Sequence, residues 1–152
     1  MKWRKSIRLK NYDYRTNGYY YVTICCSRRA KLCLKYQGII EKHLKNLEKY
    51  DGVKLDYFKL VLNHLHLILI LEEAKLPLCR YIQEFKSKTT LEIKKVGFIE
   101  KRFWQPNYFE HVIRSEKALE EIRDYIKNNP LKEKLEFEKI YGKNNADKSA
   151  TT

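Results

Sequence analysis

Apolar and polar positions alternate or recur along this chain in seven stretches, and each predicts one element. Tyr19-Tyr20-Tyr21-Val22-Thr23-Ile24-Cys25 follows the turn signal Thr16-Asn17-Gly18 and is rich in aromatic and β-branched side chains, which predicts a strand. From about Lys35 to Tyr50, Ile39, Ile40, Leu44 and Leu47 recur at helical spacing until Asp51-Gly52 breaks the pattern. Val53–Leu62 and His64–Leu71 are two apolar runs around Asn63, the pattern of a hairpin or of two paired central strands. After Pro77, placed where the first helical residue is expected, Leu78, Ile82, Phe85 and Thr89 share one face of a basic helix that reaches Lys95 and closes at Gly97. Phe103–Ile113 predicts a further strand, interrupted by Pro106. Ser115 then caps a helix running through Glu116, Leu119, Ile122 and Ile126 to Pro130, with acid in its first turn as the helix dipole favours.

The resulting order, β-α-β-β-α-β-α, predicts an α+β fold in which helices pack on an antiparallel sheet. A chain of 152 residues supports one such unit. We place a single domain at 1–141, including a basic N-terminal arm, and a disordered polar tail at 142–152. Leu65–Leu71, the longest apolar run, is interrupted by His66 and falls far short of the ~20 residues that span a bilayer, so no membrane partner is expected. The basic N-terminus is followed by no apolar stretch or cleavage site, which predicts a cytoplasmic protein. Cys25, Cys26, Cys33 and Cys79 make no C-x-x-C pair, which suits reduced, buried thiols.

Charge changes the picture. With 32 Lys+Arg against 19 Asp+Glu, the net charge of +13 exceeds the magnitude of about 2–8 that suffices for solubility. The basic residues cluster at Lys2, Arg4, Lys5, Arg8 and Lys10, at Arg28, Arg29 and Lys31, and from Lys86 to Arg102, with aromatics among them. That mixture suits a surface that neutralises phosphates and stacks unpaired bases, although a merely solvated lysine-rich surface has the same composition.

Two constellations could carry chemistry. On a strand, His64 and His66 point to the same face and can converge on one cation, while Leu65 points into the core. Two strand histidines that face solvent or are hydrogen-bonded have the same pattern. In the last helix, Tyr125 and Asn129 stand one turn apart. At about 100° per residue Tyr125 lies about 60° from Ile122, at the edge of the apolar stripe, where a tyrosine can equally be core packing with a wet hydroxyl.

The segment Leu62-Asn63-His64-Leu65-His66-Leu67-Ile68-Leu69 resembles the His-hydrophobic-His strand of the single-tyrosine HUH transposases of insertion sequences. Three further blocks match in order: Gly18–Thr23, Phe103-Trp104-Gln105-Pro106-Asn107-Tyr108-Phe109-Glu110-His111-Val112-Ile113-Arg114, and Asp124-Tyr125-Ile126-Lys127-Asn128-Asn129-Pro130. The Trp-Gln block and the Tyr-Ile-x-x-Asn-Pro ending particularly resemble the REP-associated tyrosine transposase branch, and the similarity spans about residues 5 to 135. It implies a ferredoxin-like, RRM-like HUH fold and a transposase that nicks and rejoins single-stranded DNA with hairpin ends. Tyr125 would be the nucleophile that forms a 5′-phosphotyrosine. His64 and His66 would hold a divalent ion, Mg²⁺ or Mn²⁺, with Asn129 a candidate third ligand where insertion-sequence members commonly have the longer Gln. Arg4, Lys5, Arg8, Arg28, Arg29, Lys86 and Arg114 are the candidate DNA contacts, and a homodimer is the expected assembly. The alternative functions are a non-catalytic hairpin-binding protein derived from such an enzyme, and a nuclease that uses water in place of Tyr125. Trp104, Gln105, Tyr108 and His111 would either face DNA or order their loop.

Overall fold

The structure, a computed structural model, describes residues 17–27 and 32–128. The N-terminal arm, most of the segment carrying Arg28 and Arg29, Asn129 and the polar tail lie outside the described residues. The elements are β1 (Gly18–Cys25), a one-turn helix α1 (Leu32–Lys35), α2 (Gln37–Asn46) running into a 3-10 turn (Leu47–Lys49), β2 (Val53–Leu60), β3 (His64–Leu71), α3 (Leu78–Lys95), β4 (Phe109–Ile113) and α4 (Glu116–Asn128). The four strands form one sheet in the order β2-β3-β1-β4, every neighbouring pair antiparallel. This is the predicted α+β fold with the strand order of a split β-α-β domain.

β3 is central, and its sequence shows why. Leu65, Leu67, Leu69 and Leu71 are buried on one face and His66 and Ile68 on the other, so the sheet is covered on both sides. Helices α2 and α3 pack together, joined by Lys42 and His43 of α2 binding Glu92 of α3, as the two right-handed crossovers of this topology require. Helix α4 takes the other side. The β2–β3 hairpin turns through Val61–Asn63, with Val61 N–H donating to His64 O. No described helix is long and apolar enough to cross a membrane.

Two expectations need correction. Pro77 is the N-cap of α3, extended at ψ 159°, rather than its first helical residue. The predicted strand Phe103–Ile113 pairs only from Phe109; residues 103–108 leave the ladder, with an isolated Cys26–Trp104 bridge just past the end of β1. Pro106 has no N–H for a ladder, and Trp104 turns inward to donate from Nε1 to Thr89 Oγ1 of α3 at 2.8 Å. All four cysteines are thiols; Cys25, Cys26 and Cys33 are buried, while Cys79 is half-buried. Cys26 and Cys33 Sγ lie 2.6 Å apart, and burial pushes the Cys33 thiol up and keeps it protonated.

Candidate active site

The period-two alternation of β3 brings His64 and His66 onto one face, their rings 4.5 Å apart and nearly perpendicular. Each imidazole is held through Nδ1. His64 Nδ1–H donates to Asn63 Oδ1 at 2.7 Å, which orients the ring with Nε2 on its far side. His66 Nδ1 lies 3.0 Å from the Tyr21 hydroxyl and 3.2 Å from Thr23 Oγ1, both on β1. Register explains the pairing: Thr23 is the cross-strand partner of His66, and Tyr21 lies two residues along on the same face, its ring stacked on that imidazole at 6.0 Å. Both Nε2 atoms are buried. Burial, with Lys59 across the β2–β3 ladder, pushes His66 down to about 3. A neutral imidazole with its Nδ1 engaged is the form that binds cations through Nε2.

Helix α4 supplies Tyr125. Its first turn is capped by Ser115, whose Oγ accepts from Ala118 N–H at 3.1 Å, and it buries Leu119, Ile122 and Ile126. Two contacts fasten it to β2. Arg123 binds Asp56 bidentately, Nε to Oδ2 at 2.9 Å and Nη2 to Oδ1 at 2.5 Å. Asp56 sits at the irregularity between Leu55 and Tyr57 in the β2–β3 register, where the extra residue re-aims its side chain. Lys59 Nζ donates to Lys127 O at 2.9 Å, and Lys59 is the cross-strand partner of His66. The last turn of α4, with Tyr125 in it, is therefore level with the histidine pair on the histidine face of the sheet. Tyr125 is half-buried against the core, with its Oη out of solvent contact.

Sequence reasoning missed Tyr21, Thr23 and Asp56. Alternation on β1 puts Tyr21 and Thr23 on one face, but only the register shows that this face meets His66. His111 lies across β4 from Tyr21 on that same face, and burial followed by Arg114 pushes it down to about 4.

The other candidates divide by environment. Trp104 and Gln105 order their loop: Gln105 is buried, its backbone N–H donating to Cys25 O at 2.8 Å and its Nε2 to Cys26 O at 3.0 Å. Tyr108 is buried too. Lys86, expected at phosphate, commits its amine to Gln105 O at 2.7 Å and Asn107 O at 3.4 Å, and burial pushes it down to about 8. Arg114 is exposed between β4 and α4. Arg4, Lys5, Arg8, Arg28, Arg29 and Asn129 lie outside the described residues.

The residues present fit a divalent ion to the extent of two imidazoles with buried Nε2 atoms on one face. Among the described residues no group of three His, Cys, Asp or Glu is placed to hold a metal, so any third protein ligand is of another type or lies outside them.

Comparison with known proteins places this geometry. The family model described as "Transposase IS200 like" matches residues 14–129, which include β1, the histidine strand and α4. An uncharacterized protein of Haemophilus influenzae (strain Rd) is 36% identical over 164 residues, covering 84% of this chain and 88% of that protein. Among solved structures, a REP-associated tyrosine transposase bound to a REP hairpin superposes with a TM-score of 0.69 at 23% identity, covering 82% of this chain and 73% of that one. A candidate transposase from Deinococcus radiodurans R1 does so at 0.55 and 16%, covering 80% and 95%. Those two structural likenesses bear on the fold; the family match and the extent of the Haemophilus relative carry the assignment, and the chain belongs to the IS200-like transposase family.

Proposed function

We propose that this chain is a metal-dependent transposase that nicks and rejoins single-stranded DNA through a 5′-phosphotyrosine, with Tyr125 as nucleophile. The observation that carries the reading is the seating of α4, whose last turn is fastened to the strand residue opposite His66. Tyr125 then serves the histidines of its own chain, with any homodimer formed around two complete sites. Hairpin recognition is supported by the REP-hairpin complex of the structural neighbour.

The chemistry assigns each residue a task. A phenol of pKa ~10 is a weak nucleophile at neutral pH, so it needs a phosphodiester already held in line and stripped of repulsion. His64 and His66, with Asn129 as candidate third ligand, would hold a Mg²⁺ or Mn²⁺ ion, which when bound neutralises charge on the phosphate oxygens. Imidazole donors favour Mn²⁺ of the two. Asn63, Tyr21 and Thr23 keep the two rings oriented. Attack by Tyr125 Oη on phosphorus forms the tyrosyl ester to the 5′ side and expels a 3′-hydroxyl. A later 3′-hydroxyl reverses the step, because the ester conserves the bond energy.

The test uses hairpin oligonucleotides from the flanks of the gene, labelled 3′ of possible cuts, with Mn²⁺, Mg²⁺ or EDTA. A metal-dependent adduct of label with protein is expected from wild type and absent from Tyr125→Phe and His64→Ala. Cleavage that survives Tyr125→Phe without adduct would replace the reading with a hydrolytic nuclease. Tight hairpin binding with no cleavage under any metal would replace it with a binding protein.

A further inference from the structure

An unbroken path of hydrogen bonds runs from the Trp-Gln segment to His64. β4 pairs with β1 only as far as Phe109 opposite Thr23, so the end of β1 meets another partner on that side. Residues 103–105 take the place of the missing strand: Ser27 N–H donates to Phe103 O at 2.7 Å and Gln105 N–H to Cys25 O at 2.8 Å. The Gln105 side chain adds a further bond, from Nε2 to Cys26 O at 3.0 Å. Toward β3, Cys26 N–H donates to Asn63 O at 2.9 Å, and Asn63 Oδ1 is the atom that holds His64 Nδ1. The peptide unit between Cys25 and Cys26 is thus gripped by Gln105 on one side and by Asn63 on the other.

We propose that the Gln105 side chain is a positioning residue for His64, acting through Cys26 and Asn63; its bearing on metal binding rests on the function proposed above. His66 is oriented directly from β1, by Tyr21 and Thr23. His64 stands at the mouth of the β2–β3 hairpin and takes its orientation from a turn residue, which holds a ring only as firmly as its own backbone is held. Gln105 is 4% exposed, and burying a primary amide is costly unless its hydrogen bonds are made. Fastening the loop does not require that amide. Lys86 Nζ already binds the carbonyls of Gln105 and Asn107, and Trp104 Nε1 binds Thr89, so the loop is tied to α3 twice without the Gln105 side chain. What the amide alone adds is the bond to Cys26 O, and Cys26 is the residue whose N–H fixes Asn63.

The test compares wild type with Gln105→Met, which keeps the length of the side chain and removes its donor, with Asn63→Ala, and with the double variant. Trp104→Phe is the control, because it frees the loop from Thr89 and leaves the bond to Cys26 in place. Two readouts are taken on each protein. Long-range proton–nitrogen NMR of the metal-free protein reports how the two His64 ring nitrogens share their proton, and calorimetry reports Mn²⁺ affinity. In wild type the proton should sit on Nδ1. Gln105→Met should move both His64 nitrogen signals toward a mixture of tautomers, as Asn63→Ala does more fully, and weaken Mn²⁺ about fivefold against tenfold or more for Asn63→Ala. The double variant should be no worse than Asn63→Ala alone, since both act on one path. Trp104→Phe should lower the melting temperature and leave the His64 signals where they are. If melting shows Gln105→Met unfolded, Gln105→Asn, whose amide is one methylene too short for Cys26 O, decides by the same readouts. His64 signals that stay at their wild-type positions in the folded Gln105 variant, or that move equally in Trp104→Phe, would overturn the proposal and leave Gln105 a loop fastener. The NMR arm needs no metal and no DNA, so a wild type that bound no Mn²⁺ would sink the function proposed above while the His64 signals still decided this one.

Discussion

Replacing Asp56 by alanine removes the partner of Arg123 and tests whether α4 is held in register with the histidines. The pair is bidentate, with the carboxylate side chain 12% exposed and the guanidinium 39%. Hydrogen bonds to charged groups contribute about 1.5–3 kcal/mol when shielded. The exposure of the guanidinium moves the value toward the lower end, about 1–2 kcal/mol, since the freed Arg123 can turn to water. For a chain of this size that is a fall in Tm of roughly 3–8 °C. The larger effect falls on chemistry. A displacement of the proposed nucleophile by about 1 Å can cost on the order of 100-fold in rate, and Arg123 lies two residues from Tyr125. Asp56→Ala should therefore slow adduct formation at least about tenfold at saturating DNA and metal while leaving hairpin affinity within about twofold. Single-turnover adduct assays and anisotropy on the same preparations separate the two. Arg123→Ala should do the same, and the double variant should be no worse than either single one. A variant that loses the melting temperature but keeps the adduct rate, or two single losses that simply add, would refute the coupling between this pair and Tyr125.

Other residues give equally direct outcomes. Tyr21→Phe combined with Thr23→Val removes both hydroxyls at His66 Nδ1 and should weaken Mn²⁺ binding about 10–100-fold by calorimetry; unchanged affinity would show that the strand alone orients the ring. Burial holds His66 down to about 3 and His111 to about 4, against an ordinary 6.5, so in metal-free protein stability is full above pH 6.5 and is lost as pH falls below it, because the unfolded chain takes up these protons first. At pH 4 His66 alone should cost roughly 3 kcal/mol, read as a urea midpoint that drops from pH 7 to pH 4 in wild type and drops less in His66→Gln; equal drops would refute it. Gly52 turns the chain into β2 at φ 80°, and a Cβ there would lie 2.4 Å from Glu72 O, so Gly52→Ala should cost at least about 1–3 kcal/mol in denaturant titrations.

Much of this fold was legible because its elements obey single periodicities. The alternation in His64–Leu71 fixed the strand, the core face of Leu65 and the shared face of the histidines, and the i, i+3, i+4 pattern fixed α3 and α4. What failed was local competition. Phe103–Tyr108 has the composition of a strand, yet Trp104 finds Thr89 and Pro106 offers no N–H, so side-chain burial overrides β propensity. Lys86 reads as a DNA contact on a basic helix, and only the tertiary path of the loop shows it capped by two carbonyls.

The site shows the same division between local signal and register. His64 and His66 announce themselves within three residues, but what orients the His66 ring comes from β1, about 40 residues earlier in the chain, and what seats the last turn of α4 comes from β2. A bulge is invisible to a period-two reading because it is an exception to it. At Asp56 that exception does two things at once: it turns a carboxylate toward α4 and resets the register so that Lys59 falls opposite His66. Pairing this strand regularly, with Asp56 in the ladder, would put Phe58 opposite His66 and carry Lys59 to the other face. Both anchors of the tyrosine helix thus depend on one irregular residue, and a regular β2 of equal stability would leave α4 without its seat.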